Sequence, residues 1–356
     1  MDEHSKLNVN LISKTQLLGI PSLTSDIADA IIDWRDSNDE VESMGAESEY
    51  YANRGFKYRP RNAELRSIAE LELIAGCWPS YVRGEDWNLN GRLDSNEDDG
   101  KISMPEDKSD GFLDAGWSAY LTAFSRGSHR TANGLPKLYL RTAKAEEVVE
   151  RTGIELSQAN ALLTWARAGN ARMETLLVTP LGSIGRQAGS GGSQSGSSGR
   201  SRSRFGGSRS SSSSGPTQNT GGAGTVTALS TDQLRTVFRE CTLDDPFRPA
   251  PGRVNLNTVS LAVLERALGL DTKVAEAIIA RRRTKQGGYT SVADLLEIAD
   301  LKAETLAQIG GQVDVTSNVF MISSRGRAQS TGTEAEVVAI VDMSTLPATY
   351  IEVREP

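Results

Sequence analysis

The chain contains one pattern twice. Asn8-Val9-Asn10 leads through Ser13, Leu17 and Leu18 to Ala28-Asp29-Ala30-Ile31-Ile32-Asp33-Trp34-Arg35. Asn255-Leu256-Asn257 leads through Ser260 and Leu264 to Ala275-Glu276-Ala277-Ile278-Ile279-Ala280-Arg281-Arg282, with the same spacing from the first Asn to the first Ala. Each copy ends alike, Ser67-Ile68-Ala69-Glu70-Leu71 against Ser291-Val292-Ala293-Asp294-Leu295. Two capped apolar segments joined by a short turn make a helical hairpin, so the fold has to house the same unit twice. The first copy is expanded before its close by an insertion that includes Asp36, Asp39, Gly45-Ala46-Glu47 and Tyr50-Tyr51.

Local patterning fills in the rest. An Asn-capped helix is expected over residues 8–18, with Asn10 or Ser13 accepting from its first turn, and Pro21 ends it. Thr24-Ser25-Asp26 caps a second helix with an apolar stripe of Ile27, Ala28, Ile31, Ile32 and Trp34, which places Asp26, Asp29, Asp33 and Asp36 on its other side. Residues 36–62 lack a period and read as an ordered, non-helical loop anchored by Tyr50, Tyr51, Phe56 and Tyr58. Helix returns over 65–76, then at Trp117 to Phe124, Ala145 to Arg151 and Leu156 to Ala168. Residues 182–224 are Ser/Gly-rich with scattered Arg and read as a disordered linker, having almost no apolar side chains to offset the entropy of ordering. A short strand at 225–229 and a helix from Thr231 precede the second copy. Val313 to Ser324 and Glu334 to Met343 alternate as a β-hairpin, with Tyr350 to Val353 as a third strand. His4 and His129 have no metal-ligand spacing and are expected at the surface.

The most specific local signal is Asp86-Trp87-Asn88-Leu89-Asn90-Gly91-Arg92-Leu93-Asp94-Ser95-Asn96-Glu97. It matches the twelve-position calcium loop: Asp86, Asn88 and Asn90 as side-chain oxygens, Gly91 for the sharp turn, the Arg92 carbonyl, Asp94 directly or through water, and Glu97 as the bidentate carboxylate. A second acidic stretch, with Asp107, Asp110 and Asp114, has Lys108 at a ligand position and Trp117 in place of the closing Glu. It reads as a degenerate loop, with Asp98, Asp99 and Asp114 as further candidate ligands. The net charge of −7 and pI near 5.2 suit cations better than phosphate. Cys77 and Cys241, the two cysteines, read as buried thiols or as a disulfide. No run reaches the roughly 20 apolar residues that cross a bilayer, and the first residues are not a signal peptide. No nucleophile-base pair, phosphate loop or zinc spacing argues for catalysis.

The second copy looks like a helix-hairpin-helix of the kind that grips DNA backbones, which makes a DNA-uptake or repair module the alternative reading. Its turn is Gly269-Leu270-Asp271, with a carboxylate where phosphate would approach. The whole combination, with Ala28-x-x-Ile31-Ile32-x-Trp34-Arg35-Asp36-x-x-Asp39 and Gly45-Ala46-Glu47-x-x-Tyr50-Tyr51 in the first copy and a terminal β-hairpin after the second, resembles the K-type minor pseudopilin family of bacterial type II secretion systems. The resemblance runs from Asn8 to about Met343. It implies a non-enzymatic, calcium-binding subunit at the tip of a pseudopilus on the periplasmic face of the inner membrane. Other minor pseudopilins and the secretion apparatus would be its partners, and no nucleic acid is expected.

Members of that family begin with a cleaved leader and a hydrophobic helix. Membrane attachment is therefore expected only through such a helix, which is not in this sequence. The expected fold class is α+β: a mainly helical domain built on two helix-hairpin-helix-like repeats with an EF-hand-like calcium loop, plus a small antiparallel C-terminal sheet of pseudopilin type. The expected division is 1–181, helical with the calcium loop; 182–224, linker; 225–310, second repeat; and 311–356, β-rich. Asp36, Asp39 and Glu47 are further candidate cation ligands.

Overall fold

The computed structural model describes residues 1–183, 226–345 and 347–355. All but the first two residues of the expected linker lie outside them. Each copy of the repeat opens with a two-residue strand. In the first, β1 (Leu7–Asn8) lies parallel to β2 (Leu121–Thr122). Between the copies, β3 (Leu138–Tyr139) pairs in parallel with β4 (Cys241–Thr242). In the second copy, β5 (Val254–Asn255) lies parallel to β6 (Val313–Asp314). The register of the sequence repeat is therefore the register of the structure, and each copy closes back beside its own start.

Four sets of polar contacts repeat between the copies. Asn8 and Asn255 each accept from the amide two residues on, that of Asn10 or Asn257. Asn10 then exchanges hydrogen bonds with the backbone of Leu65, and Asn257 does the same with Tyr289, in each case two residues before the closing serine. Arg35 donates to the carbonyls of Val9 and Ile12, and Arg282 to those of Leu256 and Val259. A guanidinium fork is suited to this, because it satisfies two otherwise orphaned carbonyls from one planar group. Finally, Ser67 and Ser291 accept from the amides of Ala69 and Ala293 and start matching 3-10 helices, Ile68–Leu73 and Val292–Glu297. Replacing Arg35 or Arg282 by Ala should cost about 1.5–3 kcal/mol in either copy, the worth of hydrogen bonds to a charged group. Urea midpoints would show it, and unequal losses would argue against equivalent roles.

The helices themselves are shorter than the sequence suggests. Residues 8–18 hold β1 and then a five-residue helix, Lys14–Leu18, capped by Ser13 in a reciprocal box with Gln16. Asn10 does not cap it, being taken by Leu65. The second helix runs Ser25–Arg35 as expected, but Asp29 and Asp33 are buried and not on a solvent face. They accept the amides of Met44 and Glu42 from the insertion, and Lys14 lies 2.5 Å from Asp29. Residues 36–62 contain a short helix, Ser48–Asn53. Its Tyr50 and Tyr51 belong, with Trp34, Phe56 and Tyr58, to one aromatic cluster with mainly edge-on and tilted contacts.

Trp117 to Phe124 is a 3-10 turn, Gly116–Ala119, followed by β2 and not a helix, because the chain has to return beside β1. Helices Ala145–Thr152, Leu156–Ala166 and Thr231–Glu240 are present, and Arg151 ties the first to the last through Glu240 at 2.6 Å. Residues 226–230 form no strand and instead lead into the Ser230 cap of Thr231–Glu240. His4 is buried, with Nδ1 2.9 Å from the carbonyl of Arg253, against the surface position expected from spacing alone. Half-buried His129 places Nε2 2.8 Å from the carbonyl of Arg248.

One core, from Leu7 to Val313, serves both copies. The terminal sheet has the antiparallel order β7 (Val319–Arg327), β8 (Glu334–Asp342), β9 (Thr349–Arg354), and its apolar contacts form a second, smaller cluster. Cys77 and Cys241 are free and buried, and burial pushes both thiols up to about 12. Among the described residues no helix is long and apolar enough to cross a membrane.

Candidate metal centre

The calcium-type loop sits where the first copy has been opened. In the second copy a single helix, Ala303–Ile309, runs toward β6. In the first, the corresponding stretch is cut after Pro79–Arg83 and resumes at Gly116–Ala119, with residues 85–115 between the two pieces. Two glycines form the neck of this insertion. A Cβ on Gly84 would lie 2.5 Å from the amide nitrogen of Gly116, and one on Gly116 would lie 2.4 Å from the carbonyl of Tyr81; both have positive φ. Gly116→Ala should therefore destabilise by about 1–3 kcal/mol from backbone strain, with the clash added. Gly111→Ala, also at positive φ but facing open space, should show strain alone. Equal urea midpoints for the two variants would rule out a tight neck.

Within residues 86–97 the side chains fold the loop around its own acidic groups. Asp86 Oδ1 and Oδ2 accept the amides of Asn90 and Gly91 at 2.9 and 3.0 Å. Asn88 Oδ1 accepts from Asn90 and Asn90 Oδ1 from Arg92, and Gly91 turns the chain at φ +70°. Glu97 spans the loop, accepting Trp87 N through Oε1 and Asp94 N through Oε2, both at 3.0 Å. Asp94 Oδ2 gathers the side-chain amides of Asn88 and Asn90. All six proposed ligand positions are thus drawn into one small loop.

Asp86 and Glu97 are 2% and 1% exposed, and their carboxylate hydrogen bonds come from backbone amides. Burial raises the pKa of both, against those amides; for Glu97 the charges of Asp86 and Asp94 add to the rise. Two buried carboxylates and two amide oxygens around one turn are a hard-oxygen donor set that fits calcium. Among the described residues, no group of three or more His, Cys, Asp and Glu stands ready to hold a metal. The loop instead depends on Asn88, Asn90 and the Arg92 carbonyl beside its acids.

The second acidic stretch is spent on its own backbone. Asp107 accepts the amides of Asp99, Gly100 and Ser109, Asp98 that of Gly111, and Asp110 that of Phe112. Asp99 is bonded to Ser103, and Lys108 reaches Asp114 at 3.1 Å. The structure does not gather these residues around a common point.

The insertion of the first copy holds another acidic pocket. Glu47 is 2% exposed and neither of its oxygens has a partner, nor has Asp33 Oδ2. Burial, then the charges of Asp33, Asp36 and Asp39, push Glu47 up to about 7. Asp36 accepts the Asn38 amide, and Asp39 accepts from Ser48 and Asn62. Asp33 was missed as a site residue because its place in the Ser25–Arg35 helix reads as solvent-facing. Its place appears only in the fold, where Gly45 packs so close that a Cβ there would lie 2.0 Å from Asp33 Oδ2.

Three basic residues at the end of the Thr272–Thr284 helix are engaged internally, while Arg283 beside them is exposed. Arg281 pairs with Glu297, Arg282 holds the two carbonyls described above, and Lys285 lies 2.8 Å from Asp294. Asp271 caps the Thr272–Thr284 helix by accepting from Lys273, which places a carboxylate at the amides that would hold phosphate.

Residues 7–84 match the family model described as type II secretion system (T2SS), protein K. The first copy of the repeat lies wholly within that match. Residues 250–314 match the helix-hairpin-helix motif model, which is the second copy. No curated protein matches the chain. A solved structure, the GspK-GspI-GspJ complex from the type 2 secretion system of enterotoxigenic Escherichia coli, is similar at 12% identity, covering 100% of this chain and 77% of that one, with a TM-score of 0.44.

Proposed function

We propose that the chain is a K-type minor pseudopilin, a non-catalytic subunit that assembles with other minor pseudopilins in a type II secretion pseudopilus on the periplasmic side of the inner membrane. The observation that carries this reading is the match of residues 7–84 to the protein K model, on the same segment that holds the expanded hairpin and its aromatic brace. In the similar solved structure, GspK is in complex with GspI and GspJ, and subunits of those types are the partners we propose here. The internally paired arginines and the carboxylate cap of the second hairpin weigh against the DNA-binding alternative. Deleting the gene should abolish export of the system's substrates into the medium and leave uptake of DNA unchanged. Normal export with lost uptake would contradict the reading.

Calcium belongs to the same proposal. Asp86, Asn88, Asn90, the Arg92 carbonyl, Asp94 and Glu97 would hold one ion, whose role is to neutralise the buried acids and fix the turn. Glu47 and Asp33 are proposed as the core of a second, weaker cation pocket, supported by their unpartnered oxygens; Asp36 and Asp39, bonded to Asn38, Ser48 and Asn62, are not gathered with them into a metal-holding group and would add charge only. Asp98, Asp99, Asp107, Asp110 and Asp114 serve as loop braces in this account.

A further inference from the structure

The terminal sheet meets the helical body at a small apolar cluster, at the first residues, where Asp2 bridges Phe320, and at a set of polar contacts. Its apolar cluster is Phe124, Val319, Met321, Val338 and Ile340, with Ile351 packed against it, and of these only Phe124 comes from outside the sheet. The first residues add a short stitch: the Met1 ammonium donates to Met321 O at 2.6 Å, and Met321 N returns a bond to Met1 O at 2.9 Å.

The other tie is to the calcium-type loop. Arg354 of β9 donates to the carbonyls of Asn88 and Leu89 at 3.1 and 2.6 Å. Glu336 of β8 faces the side-chain amide of Asn90 at 3.3 Å. Arg325 of β7 lies 3.5 Å from Asp94. Each strand of the sheet thus touches a residue that the metal reading makes a ligand or that lies between two ligands.

The geometry links loading to docking. The Asn90 side-chain amide nitrogen is shared between Asp94 Oδ2 at 2.8 Å and Glu336 at 3.3 Å, so an ion that takes the Asp94 carboxylate and the Asn90 oxygen leaves that nitrogen to Glu336. Fixing the turn also fixes the Asn88 and Leu89 carbonyls that receive Arg354. Leu89 is held at φ +54°, a conformation that a non-glycine residue leaves readily when its surroundings loosen.

We propose that the 86–97 loop is a cation-controlled latch, through Arg354, Glu336 and Arg325, for docking of the β7-β8-β9 sheet onto the helical body. This rests on the calcium reading above. It makes the orientation of the sheet, and so of any surface the sheet offers a partner subunit, depend on calcium. By linkage, docking must tighten calcium binding by the same factor that calcium favours docking.

The test is hydrogen–deuterium exchange of the full chain in calcium chloride and in EGTA, with calcium titrated calorimetrically in parallel. Calcium should slow exchange in 319–327, 334–342 and 349–354 about tenfold and leave the Ser25–Arg35 and Thr272–Thr284 helices unchanged. Arg354→Ala and Glu336→Gln should still give binding heat, with weakened affinity, and should lose most of the calcium effect on the sheet. Unchanged exchange in the two helices would show that these variants remain folded. Binding heat with no change in sheet exchange would overturn the latch alone. No binding heat in the unaltered chain would overturn the calcium reading and the latch with it.

Discussion

Asp294→Ala should be the most damaging single substitution in the second hairpin, costing about 3–5 kcal/mol, the usual loss when one partner of a buried charge pair is removed. Asp294 is fully buried and receives Arg235 Nε at 2.6 Å, Lys285 Nζ at 2.8 Å and the Thr290 and Ser291 amides. Burial by itself would raise its pKa. Lys285, the Thr290 amide and Arg235 outweigh burial and hold the carboxyl well below the usual carboxylate range. The sign for stability follows from the lowered value. The folded form binds its proton later than the unfolded chain, so the contribution is complete above the ordinary carboxylate pKa of about 4 and is lost as pH falls below it. Urea unfolding from pH 7 to pH 3 should show the unaltered chain losing the first part of this increment, about 1 kcal/mol, and Asp294→Ala losing less by that amount. Parallel losses in the two would place the acid-sensitive group elsewhere.

Removing calcium should produce the second large effect. An ion that binds only the native chain stabilises it by about 2.7 kcal/mol at a concentration a hundred times its Kd. In a chain of this size that corresponds to roughly 3–4 °C in melting temperature. Glu97→Gln should abolish the calcium response. In EGTA the same variant should melt somewhat lower, because Gln keeps only one acceptor for the Trp87 and Asp94 amides that Glu97 holds with both oxygens. If Glu97→Gln still responds to calcium as the unaltered chain does, the loop is a structural turn that holds no ion.

What could be read from the sequence, and what could not, divides along physical lines. The repeat was legible because it is written in residues with few alternatives. Asn10 and Asn257 each clamp a backbone from both sides, and Arg35 and Arg282 each hold two carbonyls, so neither role tolerates drift. The terminal strands were legible because β-branched residues alternate on a half-buried surface.

The misread segments are those where distant partners override local preference. Residues 117–124 are apolar enough for a helix, but β2 has to pair with β1, which lies more than a hundred residues away in the chain. Asp29 and Asp33 have the spacing of an outer helical face, and only the insertion folded over them makes that face an interior one. His4 is buried by the carbonyl of Arg253, a contact that no local pattern announces.

The candidate site was read in the same uneven way. The 86–97 loop carries its candidate ligands within twelve consecutive residues and is visible at a glance. The Glu47 pocket takes Asp33 from a helix and Glu47 from the loop that covers it, so its membership emerges only in three dimensions. The contacts of Arg354 and Glu336 with the loop cross most of the chain and had no sequence signal.

The proposed function makes this chain a minor pseudopilin that works in company with others. The most direct measurement is analytical ultracentrifugation of the chain mixed with the soluble domains of the I-type and J-type minor pseudopilins of the same bacterium, in calcium. The account predicts a single faster-sedimenting species that contains all three. A chain that sediments alone in that mixture, yet shifts duplex DNA with a steep dependence on salt, would contradict it.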